Sequence, residues 1–496
     1  MVAIFKMTSI INSENGYIIK LMGVLNRYEQ ACTSVLVGKK ATVDGSTIIA
    51  RNDDTFMPIT PQKFIVHPAV HGRNETLTSG KNGFSAPLPA DGYRYQAVPN
   101  IEVAEKGVFE ENGFNEKNVG VSSTESVYGN EHTLTFDPFV KNGLAEDSLP
   151  TMLTPFINSA REGVQYLGKL IAKYGSPEGN GVLFNDKNDV WYMEIVTGHH
   201  WVAQRIPDDA YAVVANQVAI QWVDFDDPDN FMWSDGIQEF VESHHLNPDK
   251  TGFNFRHIFG TDNEKDRHYN TPRVWYGQRY FNPEIEQDPQ SSDLPFICHA
   301  AKKISVADVE FVLGSHYNET EYDPFTNSPE AKKFRPISMN RTQNSHVMQV
   351  RNDVPEEQSA IMWMTFGTPA FAPFLPFHAN VSETDPSFAN TPLKYDIKSA
   401  YWLYRTVSMM TETHYADFVQ DNVDYLKECR IELAQFVAET DQKAAKLSGE
   451  ALTKFLTERD KQMVANMRDK AQAYLGELVT KGLTLSKLTY NVDINL

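Results

Sequence analysis

Three cysteines, Cys32, Cys298 and Cys429, are the residues of this chain that could supply a thiol nucleophile. Cys32 differs from the other two because it opens a β-branched run and is linked by an Asp-Gly turn to a charged segment at 51–54. A neighbouring arginine favours the thiolate, which is the reactive form of cysteine. Cys429 lies on an apolar helical stripe and Cys298 in an apolar segment, so we expect both to be structural.

A β-hairpin is predicted around Cys32. Residues 31–38 form a short β-branched run, and residues 47–52 have the pattern of a returning strand. Between them, Asp44 and Gly45 form one of the strongest short turn signals for a hairpin. This hairpin places Cys32 at its entrance and the charged segment 51–54 at its exit.

The rest of the chain indicates a sheet-rich core followed by helices. Further strand patterns lie at 112–125, 181–195, 201–205, 211–216, 346–351 and 361–366. We expect the segments 201–205 and 211–216 to extend the sheet that the hairpin at 181–195 begins. A helix is predicted over about 151–175, long ordered loops over 217–340, and helices after about 395.

The composition is that of a globular protein, with 41% hydrophobic and 22% charged residues among 496. A net charge of −20 repels phosphates, so we expect no nucleic-acid partner and no binding to anionic membranes. No apolar run is long enough for a signal peptide or a membrane helix. No CxxC pair or other metal-ligand spacing occurs, so neither a metal nor an organic cofactor is expected, and a reducing, cytoplasmic compartment is predicted.

Several short motifs follow one another in a fixed order over residues 32–400. They are Ala31-Cys32-Thr33, Asp44-Gly45-Ser46-Thr47, Ala50-Arg51-Asn52-Asp53-Asp54, Gly113-Phe114-Asn115-Glu116-Lys117, Ser122-Ser123-Thr124-Glu125-Ser126, Gly198-His199-His200-Trp201-Val202-Ala203, Ala215-Asn216-Gln217 and Gln349-Val350-Arg351-Asn352-Asp353-Val354-Pro355. Each motif is weak alone, but the ordered set is specific. It resembles the cysteine-type N-terminal-nucleophile dipeptidases of bacteria, which are relatives of the choloylglycine and penicillin acylases.

This resemblance implies an α+β fold of four layers, αββα, with two antiparallel sheets between helices. It divides the chain into a leader-like segment at 1–31, a catalytic domain at 32–400 and a helical C-terminal region at 401–496. It also implies that the mature enzyme begins at Cys32. Whether residues 1–31 are removed autocatalytically or derive from an upstream start and are removed otherwise is open at this point.

The resemblance also implies roles for site residues. Cys32 is the expected nucleophile and its freed α-amino group the base, while Arg51 favours the thiolate and Asp54 orients the amine. A free α-amine has a pKa of about 7.7–8.0, which makes it a better base near neutral pH than a lysine. Asn216 matches the strand-end asparagine of the family and is expected to donate to the oxyanion. Arg273 lies where the acylases have another active-site arginine, and we expect it to bind substrate.

Glu125 departs from the acylase pattern, which has an asparagine at the corresponding position. The departure argues against a bile-salt or penicillin amidase, and a carboxylate here could bind the free ammonium of a dipeptide. The resemblance implies a dipeptidase of broad side-chain specificity that acts on small dipeptides, and we expect it to act without a metal. An amidase for acyl-amino acids, a catalytically silent binding or scaffold relative, and a homo-oligomer remain open.

Overall fold

Two stacked six-stranded sheets form the centre of the computed structural model, which describes residues 32–485 except 56, 58, 105, 106 and 126. The expected leader at 1–31 lies outside the described residues. The strands are β1 (Thr33–Val37), β2 (Thr47–Asp54), β3 (Ile65–His67), β4 (Thr76–Thr78), β5 (Ser85–Pro87), β6 (Tyr95–Ala97), β7 (Asn112–Phe114), β8 (Gly120–Glu125), β9 (Asn180–Asn185), β10 (Val190–Ile195), β11 (Trp201–Arg205), β12 (Tyr211–Val214), β13 (Phe231–Trp233), β14 (Thr342–Val350), β15 (Ala360–Phe366) and β16 (Leu375–His378).

Helices occupy much of the remaining described chain. The α-helices are α1 (Ile101–Ala104), α2 (Glu131–Phe136), α3 (Leu149–Leu153), α4 (Ala160–Tyr174), α5 (Ile237–Ser243), α6 (Phe255–Phe259), α7 (Thr271–Phe281), α8 (Val306–Leu313), α9 (Pro386–Ala389), α10 (Ala400–Thr413), α11 (Tyr415–Ala444) and α12 (Gly449–Leu485). Short 3₁₀ turns lie at Glu146–Ser148, Thr154–Phe156 and Glu356–Gln358, and a π-helical turn at Asp266–Asn270.

The strand order is β12-β1-β2-β14-β15-β16 in the first sheet and β13-β11-β10-β9-β8-β7 in the second. The predicted hairpin of β1 and β2 is confirmed, with Thr33 opposite Asn52. Its turn needs a positive φ at Gly45, which has φ +77°. The Asp44 carboxylate accepts hydrogen bonds from the backbone N–H and hydroxyl of Ser46, which closes the turn.

Strand alternation produces the four layers. In the first sheet, Leu36 and Ile49 point towards the second sheet, whereas their neighbours Val35 and Ala50 pack against α7 and α8. The outer face of the second sheet packs against the apolar side of α4. The order helix, sheet, sheet, helix confirms the expected αββα fold.

Two sequence expectations are wrong. Strand β12 does not extend the sheet of β9 and β10, because it pairs with β1 of the first sheet, where Val214 lies opposite Ser34. The chain thus crosses between sheets after β11, and a local strand pattern does not identify the partner strand. Residues 217–340 also contain helices α5 to α8, which have 11 residues or fewer and are therefore too short for a clear helical period.

The helices expected after about 395 are confirmed as α10, α11 and α12. Cys429 and Leu433 are buried on one face of α11, and α12 buries Leu456 and Met467. In the described part of the chain, no helix combines the length and apolar character needed to cross a bilayer.

Candidate active site

Cys32 and Arg51 meet in the space between the two sheets. Counting by twos from Leu36 on β1 and from Ile49 on β2 places both side chains on the inward face of the first sheet. Arg51 Nη1 lies 3.2 Å from Cys32 Sγ, and both residues are buried. The structure therefore places a permanent positive charge against the predicted nucleophile.

Arg51 is held from the opposite sheet. Its Nε donates to Ser122 Oγ on β8 at 2.9 Å, and its Nη2 donates to the Glu111 carboxylate at 3.0 Å. Asp53, two residues along the same face of β2, lies 3.6 Å away. Burial alone lowers the pKa of Arg51, but the nearby Cys32 sulfur and the carboxylates of Asp53 and Glu111 outweigh burial and raise it. Arg51 stays charged.

Burial dominates the chemistry of the Cys32 thiol. It raises the pKa of Cys32 to about 12, although Arg51 opposes this shift. Asp53 and Glu146 add to the rise because their negative charges disfavour a thiolate. The thiol in this arrangement is therefore protonated at neutral pH and needs a base before it can attack.

A neutral histidine, His346, orients the hydroxyl group of Ser122. His346 Nε2 lies 3.0 Å from Ser122 Oγ, and its Nδ1 lies 2.9 Å from Asn344 Oδ1. Burial and the charge of Arg51 hold the pKa of His346 well below its usual range. The neutral ring can therefore donate from Nδ1 to Asn344 and accept the Ser122 hydroxyl at Nε2, which leaves the oxygen lone pairs to Arg51.

Asp54 faces away from Arg51, as strand alternation requires. Among the described residues, its carboxylate accepts hydrogen bonds from Arg335 and from the Thr342 hydroxyl. The sequence does not indicate Arg335, which lies 281 residues away along the chain. The proposed contact of Asp54 with the Cys32 amine concerns a processed chain and stays a prediction.

Arg273 connects Cys32 to Asn216. It lies on α7 and is fully buried, and each of its five N–H groups has a protein acceptor. The acceptors are Tyr269 O at 2.7 Å, Cys32 O at 2.6 Å, Thr33 Oγ1 at 2.9 Å, Asn216 Oδ1 at 2.6 Å and Asn270 Oδ1 at 2.8 Å. This saturation fits a residue that positions the nucleophile strand better than one that contacts substrate.

Asn216 has one unused donor. Its Oδ1 is held by Arg273, whereas its buried Nδ2 has no hydrogen-bond partner in the described part of the chain. A buried amide N–H without a partner is costly, so it needs an explanation, and a catalytic role is one. The orientation fits a donor that waits for a developing oxyanion.

Glu125 lies in a group of three carboxylates, Glu125, Glu146 and Glu178, which we call the acidic cluster. One oxygen from each lies within 4.8 Å of the others. The Lys81 ammonium contacts Glu125 and lies 2.8 Å from Glu178. Burial, followed by the charge of Glu178, raises the pKa of Glu125 to about 7. The cluster could hold a cation, and the spacing of its members along the chain does not reveal it.

Comparison with known proteins identifies the family of the chain. The model for Peptidase family C69 matches residues 31–428. The chain belongs to peptidase family C69. The expected family is therefore confirmed, and this C69 peptidase is an enzyme of the class that the motifs predicted.

Relatives of this C69 peptidase cover almost its whole length. It is 54% identical over 468 residues to a "Probable dipeptidase" of Latilactobacillus sakei, with 94% of this chain and 98% of the relative covered. It is 40% identical to "Probable dipeptidase B" of Lactococcus lactis, with 95% of this chain and 100% of the relative covered. It is 36% identical to "Dipeptidase A" of Lactobacillus helveticus, with 93% of this chain and 98% of the relative covered. Among solved structures, penicillin V acylase from Agrobacterium tumefaciens matches 70% of this chain and 86% of its own at 13% identity, with a TM-score of 0.35.

Proposed function

We propose that this C69 peptidase hydrolyses dipeptides of varied side chains, with Cys32 as its nucleophile. The observation that carries the proposal is the 3.2 Å contact of Arg51 Nη1 with Cys32 Sγ inside the sandwich. Neither of the other two cysteines has such a partner among the described residues. Cys298 contacts a backbone carbonyl, and Cys429 is packed in the core.

The reaction follows from these groups. The freed α-amine of Cys32 removes the thiol proton, and Sγ attacks the peptide carbonyl while Asn216 Nδ2 donates to the oxyanion. The carbon–nitrogen bond then breaks, and the α-ammonium returns the proton to the leaving amino acid. Water next attacks the thioester, releases the first amino acid as a carboxylate and restores the thiol. Arg51 stabilises the thiolate whenever sulfur carries the charge.

The charge of the site favours a dipeptide over an acyl-amino acid, which has no ammonium group. The acidic cluster with Glu125 lies beside the nucleophile, and a carboxylate stabilises an ammonium group but gains little from an acyl chain. We propose Glu125 as part of the substrate-binding surface. Arg273 serves as a positioning residue, and Asp54 holds the amine of the processed Cys32.

Processing and location belong to the same proposal. The base exists only when Cys32 begins the chain, so we propose autocatalytic removal of residues 1–31. Cys32, Cys298 and Cys429 are all free thiols, which supports a reducing cytoplasmic compartment. A homo-oligomer stays a prediction, and light scattering of the purified enzyme measures it.

Intact mass and one matched pair of variants test the proposal. The active enzyme should have the mass of residues 32–496, and Cys32→Ala should be uncleaved and inactive towards alanyl-alanine. Cys298→Ala is the matched control, because it also removes one thiol, and it should keep its activity. Chelators should leave hydrolysis unchanged. Full activity of an unprocessed chain would contradict the α-amine as base, and an active Cys32→Ala variant would contradict the nucleophile.

A further inference from the structure

Glu146 is a buried carboxylate that the mechanism so far does not use. It begins the 3₁₀ turn at Glu146–Ser148, all of which is buried, and its side chain is 1% exposed. In the described part of the chain, its Oε2 has no hydrogen-bond partner. A buried carboxylate oxygen in this state is costly unless a ligand completes it.

The position of Glu146 relates it to the reacting atoms. Its Oε1 lies 4.0 Å from Arg51 Nη1, which in turn lies 3.2 Å from Cys32 Sγ. In a dipeptide, the α-nitrogen is two covalent bonds from the carbonyl carbon, or about 2.5 Å away, since each bond measures about 1.5 Å. A carboxylate one side chain away from the sulfur is therefore at the right range for that nitrogen.

The charges of the site leave room for another cation. Among the described residues of this network, the carboxylates outnumber the cations, which are Arg51 and Lys81. The carboxylates are Asp53, Glu111, Glu125, Glu146 and Glu178. Burial and mutual repulsion raise the pKa of Glu146 well above its usual range. One more positive charge relieves that repulsion.

The acidic cluster already accepts one ammonium group. Lys81 Nζ contacts Glu125 and Glu178, whereas Glu146 keeps an unpartnered oxygen. The geometry points to Glu146 as the ligand of the α-ammonium of the substrate, with the acidic cluster as the wall of that subsite. This inference rests on the proposed dipeptidase function. It makes Glu146 the main determinant of selectivity for free dipeptides, and Glu125, which Lys81 already holds, a lesser one.

Glu146→Gln tests the inference because the amide keeps the shape and cannot take the negative charge that would pair with an ammonium group. We expect kcat/KM for alanyl-alanine to fall about 10- to 150-fold, the range for a charge-assisted contact. The Ki of propionyl-alanine, in which a hydrogen replaces the ammonium group of alanyl-alanine and no positive charge remains, should change less than about threefold. Competitive inhibition by ethylammonium should be present in the wild type and lost in Glu146→Gln. Glu110→Gln is the matched control, since Glu110 is buried beside Thr151 and Tyr95, outside the acidic cluster.

Two further readouts separate other roles of Glu146. If Glu146 merely held Arg51, alanyl-alanine and propionyl-alanine would weaken equally in Glu146→Gln, and that result overturns the inference. Calorimetric binding of Ca²⁺ or Mn²⁺ to the wild type, lost in Glu146→Gln and competing with ethylammonium, would identify a metal site instead. Activity that survives in Cys32→Ala would refute the proposed function itself, whatever Glu146→Gln does.

Discussion

Arg51 and Cys32 form a buried pair in which the guanidinium Nη1 lies 3.2 Å from Sγ. The pair spans the sandwich, because the same guanidinium is also bonded to Ser122 on β8 of the second sheet and to Glu111, which immediately precedes β7. The reactivity of the thiol therefore depends on a side chain that both sheets hold in place.

The first prediction concerns this pair. Arg51→Met removes the charge that opposes the burial-driven rise in the pKa of Cys32, so Cys32 should be alkylated more slowly at any fixed pH. Activity should fall about 10- to 150-fold, the range for losing a charge-assisted contact. Mass spectrometry of alkylated peptides measures the alkylation rate, with Cys298 in the same sample as the internal reference, and dipeptide hydrolysis measures the activity. An unchanged alkylation rate in a folded variant would contradict the role of Arg51.

The second prediction concerns Asn216. Asn216→Asp keeps the oxygen that Arg273 binds and deletes the unused Nδ2 donor. We expect kcat to fall about 10²- to 10³-fold, the usual effect of losing one oxyanion donor, with a small change in KM. Asn216→Ala removes both groups, and its kcat should fall at least as far. Near-normal turnover of the aspartate variant would mean that Asn216 acts only by holding Arg273.

The third prediction concerns pH and stability. Burial raises the pKa of Glu310 on α8 from 4.5 to about 7, although Arg430 on α11 opposes the shift. Because the folded-state pKa exceeds the unfolded one, the stability from this group is present below about pH 4.5 and is lost as pH rises through about 7. The loss is on the order of 3 kcal/mol at 1.36 kcal/mol per pKa unit.

Glu310→Gln removes this titration. Its melting temperature relative to the wild type should therefore be higher at pH 8 than at pH 5. Scanning calorimetry at both values measures the difference, and Glu162→Gln, at a partly buried position in the first turn of α4, is the control. If the melting-temperature difference between Glu310→Gln and the wild type is the same at pH 5 and pH 8, like that of the control, Glu310 ionises normally.

The fourth prediction concerns the attachment of α12 to the first sheet. Asp460 accepts the Nδ1–H of His378 at 2.7 Å and its backbone N–H at 2.9 Å. Asp460→Ala should destabilise the fold by about 1.5–3 kcal/mol, because it leaves buried donors without an acceptor. Asp441→Ala, which breaks the more exposed pair with Arg351, should cost less. Chemical unfolding measures the free energy of unfolding of both variants. Equal losses of stability would contradict the importance of burial.

Local sequence patterns were sufficient for the part of the site that one hairpin contains. The turn at Asp44 and Gly45, the β-branched strands and their alternation together predict that Cys32 and Arg51 approach each other. The same alternation also places Asp53, and not Asp54, on the face of Arg51, a consequence that the motif resemblance obscured. The ordered motifs were sufficient for the family and for the layered fold.

Tertiary structure alone decided which distant residues complete the site. Glu111, Glu146 and Lys81 come from three separate segments, and their proximity depends on how the second sheet stacks on the first. The same holds for the pairing of β12 with β1, which brings Asn216 beside the nucleophile. Periodicity reports which face a side chain occupies within its own strand. It contains no information on which strand of another sheet that face will meet, because that choice depends on packing the whole core.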